Sequence, residues 1–446
     1  MKQDMLKGSP GKSLFLFALP MIIGNLFQQF YNMADTVIVG KFVGEDALAA
    51  VGASYSFTTV FIMFAIGGGI GASVLTSQYL GAGEYGHMKT SIHTALITFL
   101  ALSIFLAVLG LGVNPIVLRL LKTPDNIMDD ALLYLQIYFL GMPFLFMYNI
   151  LASTFNALGE SKIPLYLLVF SSILNIFLDL FMIRSLHMGV AGAAAATVLA
   201  QGVSAVISFT ILRKRLKSYE TSKDSVKYYD MAMLWTGTKI AIPSIIQQSI
   251  VSIGMLLVQS VVNSFGSSVL AGYSAGMRVE SICIVPMIAT GNAMSTFTAQ
   301  NLGARQADRV KRGYVSAYGI IISFAVFICV TLNLFHNQII SIFMDSKSEA
   351  AFATGNGYLT FICWFFALLG FKAITDGVLR GAGDVGVYMA ANLVNLGLRV
   401  FVANYFAPVF GVAAVWYAVP IGWGMNFLIS LLWYMTGKWS RKTIIS

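Results

Sequence analysis

Charge is what this sequence has least of. Only 11% of its 446 residues are charged, whereas an average soluble domain is about a quarter charged. An ordinary water-facing surface is excluded, and so is a disordered or collagen-like chain. Cysteine occurs three times, at Cys283, Cys329 and Cys363, inside apolar runs and without a CxxC pair. That argues against a disulfide framework or a thiolate metal site and leaves small core residues. The four histidines form no HExxH spacing, which argues against a zinc hydrolase. No GxxxxGK[ST] loop is present to cradle ATP phosphates. No nucleophile–base cluster lies within the apolar runs, which argues against a membrane enzyme.

Hydrophobic residues are abundant, at 57%, and the mean hydropathy is +0.78. Apolar runs between charged punctuation fall at 13–39, 52–79, 91–113, 131–156, 163–184, 189–212, 239–263, 273–299, 314–335, 356–378, 385–407 and 411–436. About 20 apolar residues cross the hydrocarbon layer as a helix. A membrane β-strand would be about ten residues of alternating polarity, a pattern these runs lack. The sequence therefore predicts an all-α protein of twelve transmembrane helices in the cell membrane. The first run continues past Lys12 through Gln28, Gln29 and Asn32 without a cleavage site, unlike a signal peptide.

Basic residues set the orientation. Of 28, 20 fall on the side of the termini, and five (Lys41, Arg119, Lys122, Arg184, Lys347) on the other. Arg278, Lys372 and Arg399 lie within runs. The positive-inside rule then places both termini in the cytoplasm. The basic stretch at 213–239 reads as a cytoplasmic loop facing anionic lipid, with no need of a nucleic acid.

The chain repeats itself at an offset of 222 residues. Gly69 matches Gly291, Gln78 with Leu80-Gly81-Ala82 matches Gln300 with Leu302-Gly303-Ala304, and Gly189-Val190-Ala191 matches Gly411-Val412-Ala413. Pro20 and Pro243 correspond within one residue. This predicts two pseudo-symmetric six-helix lobes at 1–212 and 239–446, joined by a linker at 213–238. Same-orientation repeats of this kind are related by an axis along the membrane normal, as in transporters that rock between two states. Pro20, Pro143, Pro243, Pro286 and Pro420 interrupt backbone hydrogen bonding inside spans and permit bends. Gly67-Gly68-Gly69-x-Gly71 follows no strand, so it reads as close helix packing and not as a dinucleotide loop.

Four acids lie well inside spans: Asp35, Asp179, Glu280 and Asp376. An intramembrane carboxylate is costly and marks a partner, a wet cavity or a cation. Gln28, Asn32 and Asp35 recur at helical spacing on the first span. Asn175 and Asp179, four apart, share a face of the fifth. No basic residue lies inside the first six spans to neutralise Asp35 and Asp179, Arg184 being at a helix end. Two such carboxylates would hold a proton or a small cation such as Na⁺; separate structural hydrogen bonding is the alternative. In the second half, Lys372 and Asp376 are placed to pair, and Glu280 would pair with Arg399 or face a cavity. At the repeat offset Asp35 corresponds to Leu257 and Asp179 to Phe401, so the lobes differ chemically. Phe, Tyr and Met are plentiful enough to line a cavity for greasy cations, with Gln28, Tyr31, Asn32 and Asn149 as polar contacts.

In sequence these features resemble the multidrug and toxic compound extrusion (MATE) family. The resemblance covers the chain and rests on Leu14–Gly40 with Pro20 and Asp35, the two Gln-x-x-Gly-Ala segments, Asn175-x-x-x-Asp179 and Leu379-Arg380-Gly381-Ala382-Gly383-Asp384. It implies a V-shaped monomer of two six-helix lobes that exports organic, often cationic, compounds in exchange for H⁺ or Na⁺, without other cofactors. The first half is similar to the DinF-like branch. There the resemblance implies a coupling-cation site of Asp35, Asn175, Asp179 and Thr197; from the residues themselves, Pro20 reads as a helix bend and Glu280 as a secondary cavity acid. The NorM-like branch also uses acids on the seventh and tenth spans. Here the seventh span has none, and Leu369 stands where the tenth-span acid would be. A lipid-linked saccharide flippase of the same superfamily is the alternative; it would line its path with arginine and lysine. A channel fits less well, since no pore motif accompanies the two-lobe repeat.

With both termini inside, a Ser222→Cys variant lacking the three native cysteines should resist impermeant maleimide in intact cells and react after permeabilisation. Labelling of intact cells would reverse the orientation.

Overall fold

Inside a bilayer every backbone N–H and C=O must be satisfied by the protein itself, and this chain does so with helices. The computed structural model describes residues 5–121, 123–221, 226–343, 349–441 and 444, with no β-strand among them. The helices are α1 (Pro10–Phe42), α2 (Glu45–Ala82), α3 (Tyr85–Leu120), α4 (Asp125–Leu140), α5 (Met142–Ala157), α6 (Lys162–Asp179), α7 (Gly189–Lys217) and α8 (Met231–Asn263). They continue as α9 (Ser267–Cys283), α10 (Val285–Gly303), α11 (Ala307–Ile340), α12 (Glu349–Ile362), α13 (Phe366–Gly381), α14 (Val385–Phe410) and α15 (Ala413–Met435). Eleven helical stretches are long and apolar enough to cross a membrane. The α4–α5 pair, bent by 52°, makes a twelfth.

Several predicted spans are interrupted. The fourth breaks at Gly141, where a Cβ would fall 2.2 Å from a Val198 methyl carbon. Pro143 then opens α5, and Pro286 opens α10 in the eighth span. Proline is tolerated in a first turn because its missing N–H has no partner to lose there. The fifth span ends in a π-helical turn, Leu180–Ser185, and the tenth contains a 3₁₀ turn, Cys363–Phe365. By contrast α1 runs unbroken through Pro20, and α8 through Pro243.

By packing, the chain divides into two compact units. One is Ile23–Ile245; the other combines the described residues up to Ile22 with those from Ile246 onward. These boundaries differ from the 1–212 and 239–446 lobes read from sequence. Each half's first helix begins in one unit and ends in the other, changing over two residues past Pro20 or Pro243. The predicted linker is also shorter than it looks. Residues 213–217 close α7 and 231–238 open α8, while 222–225 lie outside the described residues. The basic residues that read as loop are partly a helix C-terminus, where Lys214, Arg215 and Lys217 complement the helix dipole.

The first unit's core is aromatic. Phe57, Phe61 and Phe139 meet edge to face with centroids 5.2, 5.3 and 5.5 Å apart. The predicted glycine packing is present: a Cβ on Gly67 would fall 2.7 Å from the Ile245 backbone, and one on Gly71 2.6 Å from Gly237 O. In the second unit a Cβ on Gly377 would sit 2.3 Å from Gly291 O.

Each unit clasps the segment that precedes a crossing helix. In the first, Lys227 N and Asp230 N donate to Thr90 and Thr94 hydroxyls, both at 3.0 Å, and Lys89 Nζ reaches Tyr219 O and Thr221 Oγ1 at 2.7 Å. In the second, the Arg309 guanidinium holds the carbonyls of Met5, Lys7 and Gly8 at 3.1, 2.7 and 2.6 Å. Asp230 also caps α8, accepting from Ala232 N and Met233 N at 2.9 and 3.1 Å.

The Met233 N–H bond, with Lys227 beside it, holds the Asp230 carboxyl below the ordinary aspartate range. The stabilisation is present above the unfolded-state pKa and lost as pH falls through the folded one. Asp230→Ala should therefore destabilise the first unit by about 1 kcal/mol at neutral pH. Thermal melts in detergent should show the difference from wild type vanish in acid.

Candidate functional site

Residues four apart on a helix share a face, and three helices of the first unit point such faces at one spot. α1 brings Tyr31 and Asp35, α6 brings Asn175 and Asp179, and α7 brings Thr197. The carboxyls of Asp35 and Asp179 lie within hydrogen-bonding reach of each other. Asp179 is 0% and Asn175 1% exposed, so neither depends on bulk water. The Asn175 amide, oriented to match its neighbours, donates to Tyr31 Oη and Asp179 Oδ2 at 2.9 Å each and accepts from Thr197 N at 3.0 Å. Thr197 Oγ1 donates to Ala193 O at 3.1 Å, one turn back on its own helix.

The charge balance is lopsided. No cation acts on either acid among the described residues, and Arg184 is exposed at the end of the π turn. Asp35 Oδ1 and Asp179 Oδ1 are buried without a hydrogen-bond partner. Two carboxyls this close cannot both stay ionised cheaply, because burial and like charge both oppose it. A proton between them, or a cation on the unpartnered oxygens, relieves both costs. Asp179 is the last residue before the π turn, a helix defect that recurs at functional sites.

Tyr134 on α4 belongs to this cluster and was not read from sequence. Its hydroxyl lies in the field of both carboxyls, and its ring stacks on Tyr138. The only hint was the i,i+4 spacing of two tyrosines, which is common in membrane helices.

The remaining predicted contacts are placed apart. Gln28 Nε2 donates to Asn32 Oδ1 at 3.0 Å on an exposed stretch of α1. Asn149 Nδ2 donates to Leu145 O at 2.8 Å within α5. An apolar cavity of about 240 Å³ opens between α2, α3 and α8, lined by Phe64, Leu75, Phe99, Leu102, Ile242 and Ile245 among others. None of Gln28, Tyr31, Asn32 or Asn149 lines it.

The second unit pairs one of its buried acids with a cation and leaves the other to a hydroxyl. Lys372 Nζ pairs with Asp376 Oδ2 at 3.2 Å, as their spacing predicts. Asn392 bridges the pair, accepting from Lys372 at 3.1 Å and donating to Asp376 at 3.3 Å, while Ser430 Oγ donates to Asp376 Oδ1 at 2.9 Å. Glu280 accepts from Tyr358 Oη at 2.5 Å and is 6% exposed. Arg399 acts on it only through space, with no ion pair among the described residues.

A family model described as MatE matches residues 20–181 and 243–406, one match in each half. The chain is 31% identical over 449 residues to the "Probable multidrug resistance protein YpnP" of Bacillus subtilis, covering 99% of both. It is 29% identical to "Probable multidrug resistance protein YoeA" of the same organism, covering 99% of this chain and 97% of that one. A solved structure described as "Crystal structure of MATE in complex with MaL6" superposes with a TM-score of 0.91 at 24% identity, covering 99% of each chain. At that identity the likeness establishes the fold.

Removing either member of a buried ion pair strands its partner, at a cost of about 3–5 kcal/mol. Lys372→Ala and Asp376→Ala should each destabilise strongly, and the double variant should lose less than their sum by about 1–3 kcal/mol. Additive losses in thermal or denaturant unfolding would show that the contact carries no coupling.

Proposed function

The chain belongs to the MatE family of multi-pass membrane transporters, and on that premise we propose that it is a cation-coupled antiporter exporting organic, often cationic, compounds. Members of this family are transporters of small molecules and not enzymes. The names of the Bacillus relatives support drugs or toxic compounds as the cargo.

The single observation that carries the coupling is the Asp35–Asp179 pair, Asp179 buried and Asp35 half-buried, with no cation beside it among the described residues. Its charge must change whenever a proton or Na⁺ enters or leaves. Binding the ion from outside removes negative charge and weakens the hold on a cationic compound. Releasing it to the cytoplasm restores that charge. The Asn175 amide, which donates to both Tyr31 Oη and Asp179 Oδ2, holds that carboxyl in place through both states without adding charge. Pro20 leaves α1 one backbone hydrogen bond short near the point where it passes between units, which lowers the cost of bending there.

Of the two ions we favour H⁺. The two unpartnered carboxyl oxygens, one from each acid, suit one shared proton, whereas a hard cation needs several oxygens at once. The Asn175 oxygen already accepts from Thr197 N, and the Thr197 hydroxyl, which spends its hydrogen on Ala193 O, offers only its lone pairs. The flippase alternative calls for several free arginines and lysines along the path; Lys372 is paired and Arg380 is held by Asn292 and Ser295 at 2.7 and 3.3 Å, which leaves Arg399, its Nε without a partner, as one. The reading includes a monomer with both termini cytoplasmic, and substrate contact near Gln28, Tyr31 and Asn32. Asn149 and Glu280, already bonded within their units, act more remotely.

Ethidium efflux from vesicles under separately imposed pH and Na⁺ gradients tests this. Wild type should respond to the pH gradient. Asp35→Asn, which mimics a permanently protonated acid, should keep the fold and lose gradient-driven efflux, with Asp179→Asn nearly as impaired. Full efflux by folded Asp35→Asn protein would remove the coupling site from this pair.

A further inference from the structure

The chain's three cysteines are far apart in sequence, yet two of them touch. Cys329 lies on α11, and Cys363 begins the 3₁₀ turn that separates α12 from α13. Their sulfurs are 3.4 Å apart, and neither is in a disulfide. Asn333, one helical turn beyond Cys329, donates one Nδ2 hydrogen to Cys329 O at 2.8 Å and turns the other toward the sulfurs, 3.3 Å from Cys363 Sγ and 3.5 Å from Cys329 Sγ. Cys363 Sγ in turn lies 3.3 Å from Thr360 O. Small core residues, the reading from sequence, need no such arrangement. An amide hydrogen shared between two adjacent sulfurs stabilises the charge that develops as a thiol there loses its proton.

We propose that Cys329 and Cys363, held side by side under the Asn333 amide, form a dithiol site for trivalent arsenicals. Such reagents bind one thiol weakly and two adjacent thiols tightly, because the second bond forms within the same complex and needs no further encounter. The step balances without a redox partner. In an organoarsenic oxide the arsenic–oxygen double bond is replaced by two arsenic–sulfur bonds. The oxygen leaves as one water carrying both thiol protons, and arsenic stays trivalent. Access is from the α11 side, since Cys363 is 1% exposed, Cys329 is half-buried and Asn333 is exposed. A neutral, apolar arsenical reaches such a position through the lipid. The bridge would tie α11 to the one break in the tenth span and so stiffen a place where the helix is interrupted. Cys283 acts on Cys363 only through space and is no part of the bridge.

The probe is phenylarsine oxide on the purified full-length protein, read by intact mass. One phenylarsenic group per chain should bind, survive a monothiol wash and be removed by 2,3-dimercaptopropanol. The same treatment should protect Cys329 and Cys363, mapped as peptides, from N-ethylmaleimide. Cys329→Ser and Cys363→Ser should each lose the wash-resistant adduct completely, while Cys283→Ser keeps it. Should a serine variant fail to fold, the maleimide map of the wild type decides alone. No adduct, an adduct removed by a monothiol, or protection elsewhere than at these two cysteines would overturn the assignment.

Discussion

A carboxylate that can reach neither water nor a cation must share its charge, and the first unit is arranged around that constraint. Asp179 is fully buried beside Asp35, with no basic side chain among the described residues to offset them. What surrounds them adds no charge: the Asn175 amide donates to Asp179, and the Tyr31 and Tyr134 hydroxyls lie nearby. This is costly for stability alone, since an unpaired buried charge destabilises where a well-packed apolar group would not. The arrangement makes sense if the charge is meant to change.

The second unit meets the same constraint the opposite way. Asp376 has Lys372, Asn392 and Ser430, so its charge is balanced in place. Glu280 has Tyr358 and the field of Arg399. The two halves keep a common scaffold, visible in Gly69 and Gly291, each set against a close neighbour, and in the clasps at the start of α3 and α11. Yet they place different chemistry on it. Duplication supplied two equivalent frames, and only one kept a pair of uncompensated acids.

Interruptions of the helices have specific causes. Pro143 and Pro286 each start a new helix, because proline lacks the N–H that a continuous helix would need. The π turn after Asp179 and the 3₁₀ turn at Cys363 contain no proline and rest on packing. Both lie next to chemically distinctive groups, the acid pair in one case and the thiol pair in the other. Irregular backbone at membrane depth is tolerated only where protein or a lined cavity satisfies it, so these turns mark where the interior is organised for more than span length.

Much was legible in the sequence because bilayer physics is severe and one-dimensional. Span number, helical class and the duplication follow from run length, scarce charge and the repeat offset. The i,i+4 spacing alone placed Asn175 with Asp179 and Lys372 with Asp376. Distances between helices were not legible, because nothing in one helix's sequence says which face of another it meets. Only the tertiary structure brought α1 against α6, added Tyr134 and showed Gln28 bonded to Asn32 on an exposed stretch. It also moved the unit boundaries into the middle of α1 and α8: a helix keeps its backbone hydrogen bonds through a change of neighbours, so no break in the sequence records the crossing. The contact between Cys329 and Cys363 is of the same kind, since thirty-odd residues of apolar sequence carry no sign of which sulfurs will touch.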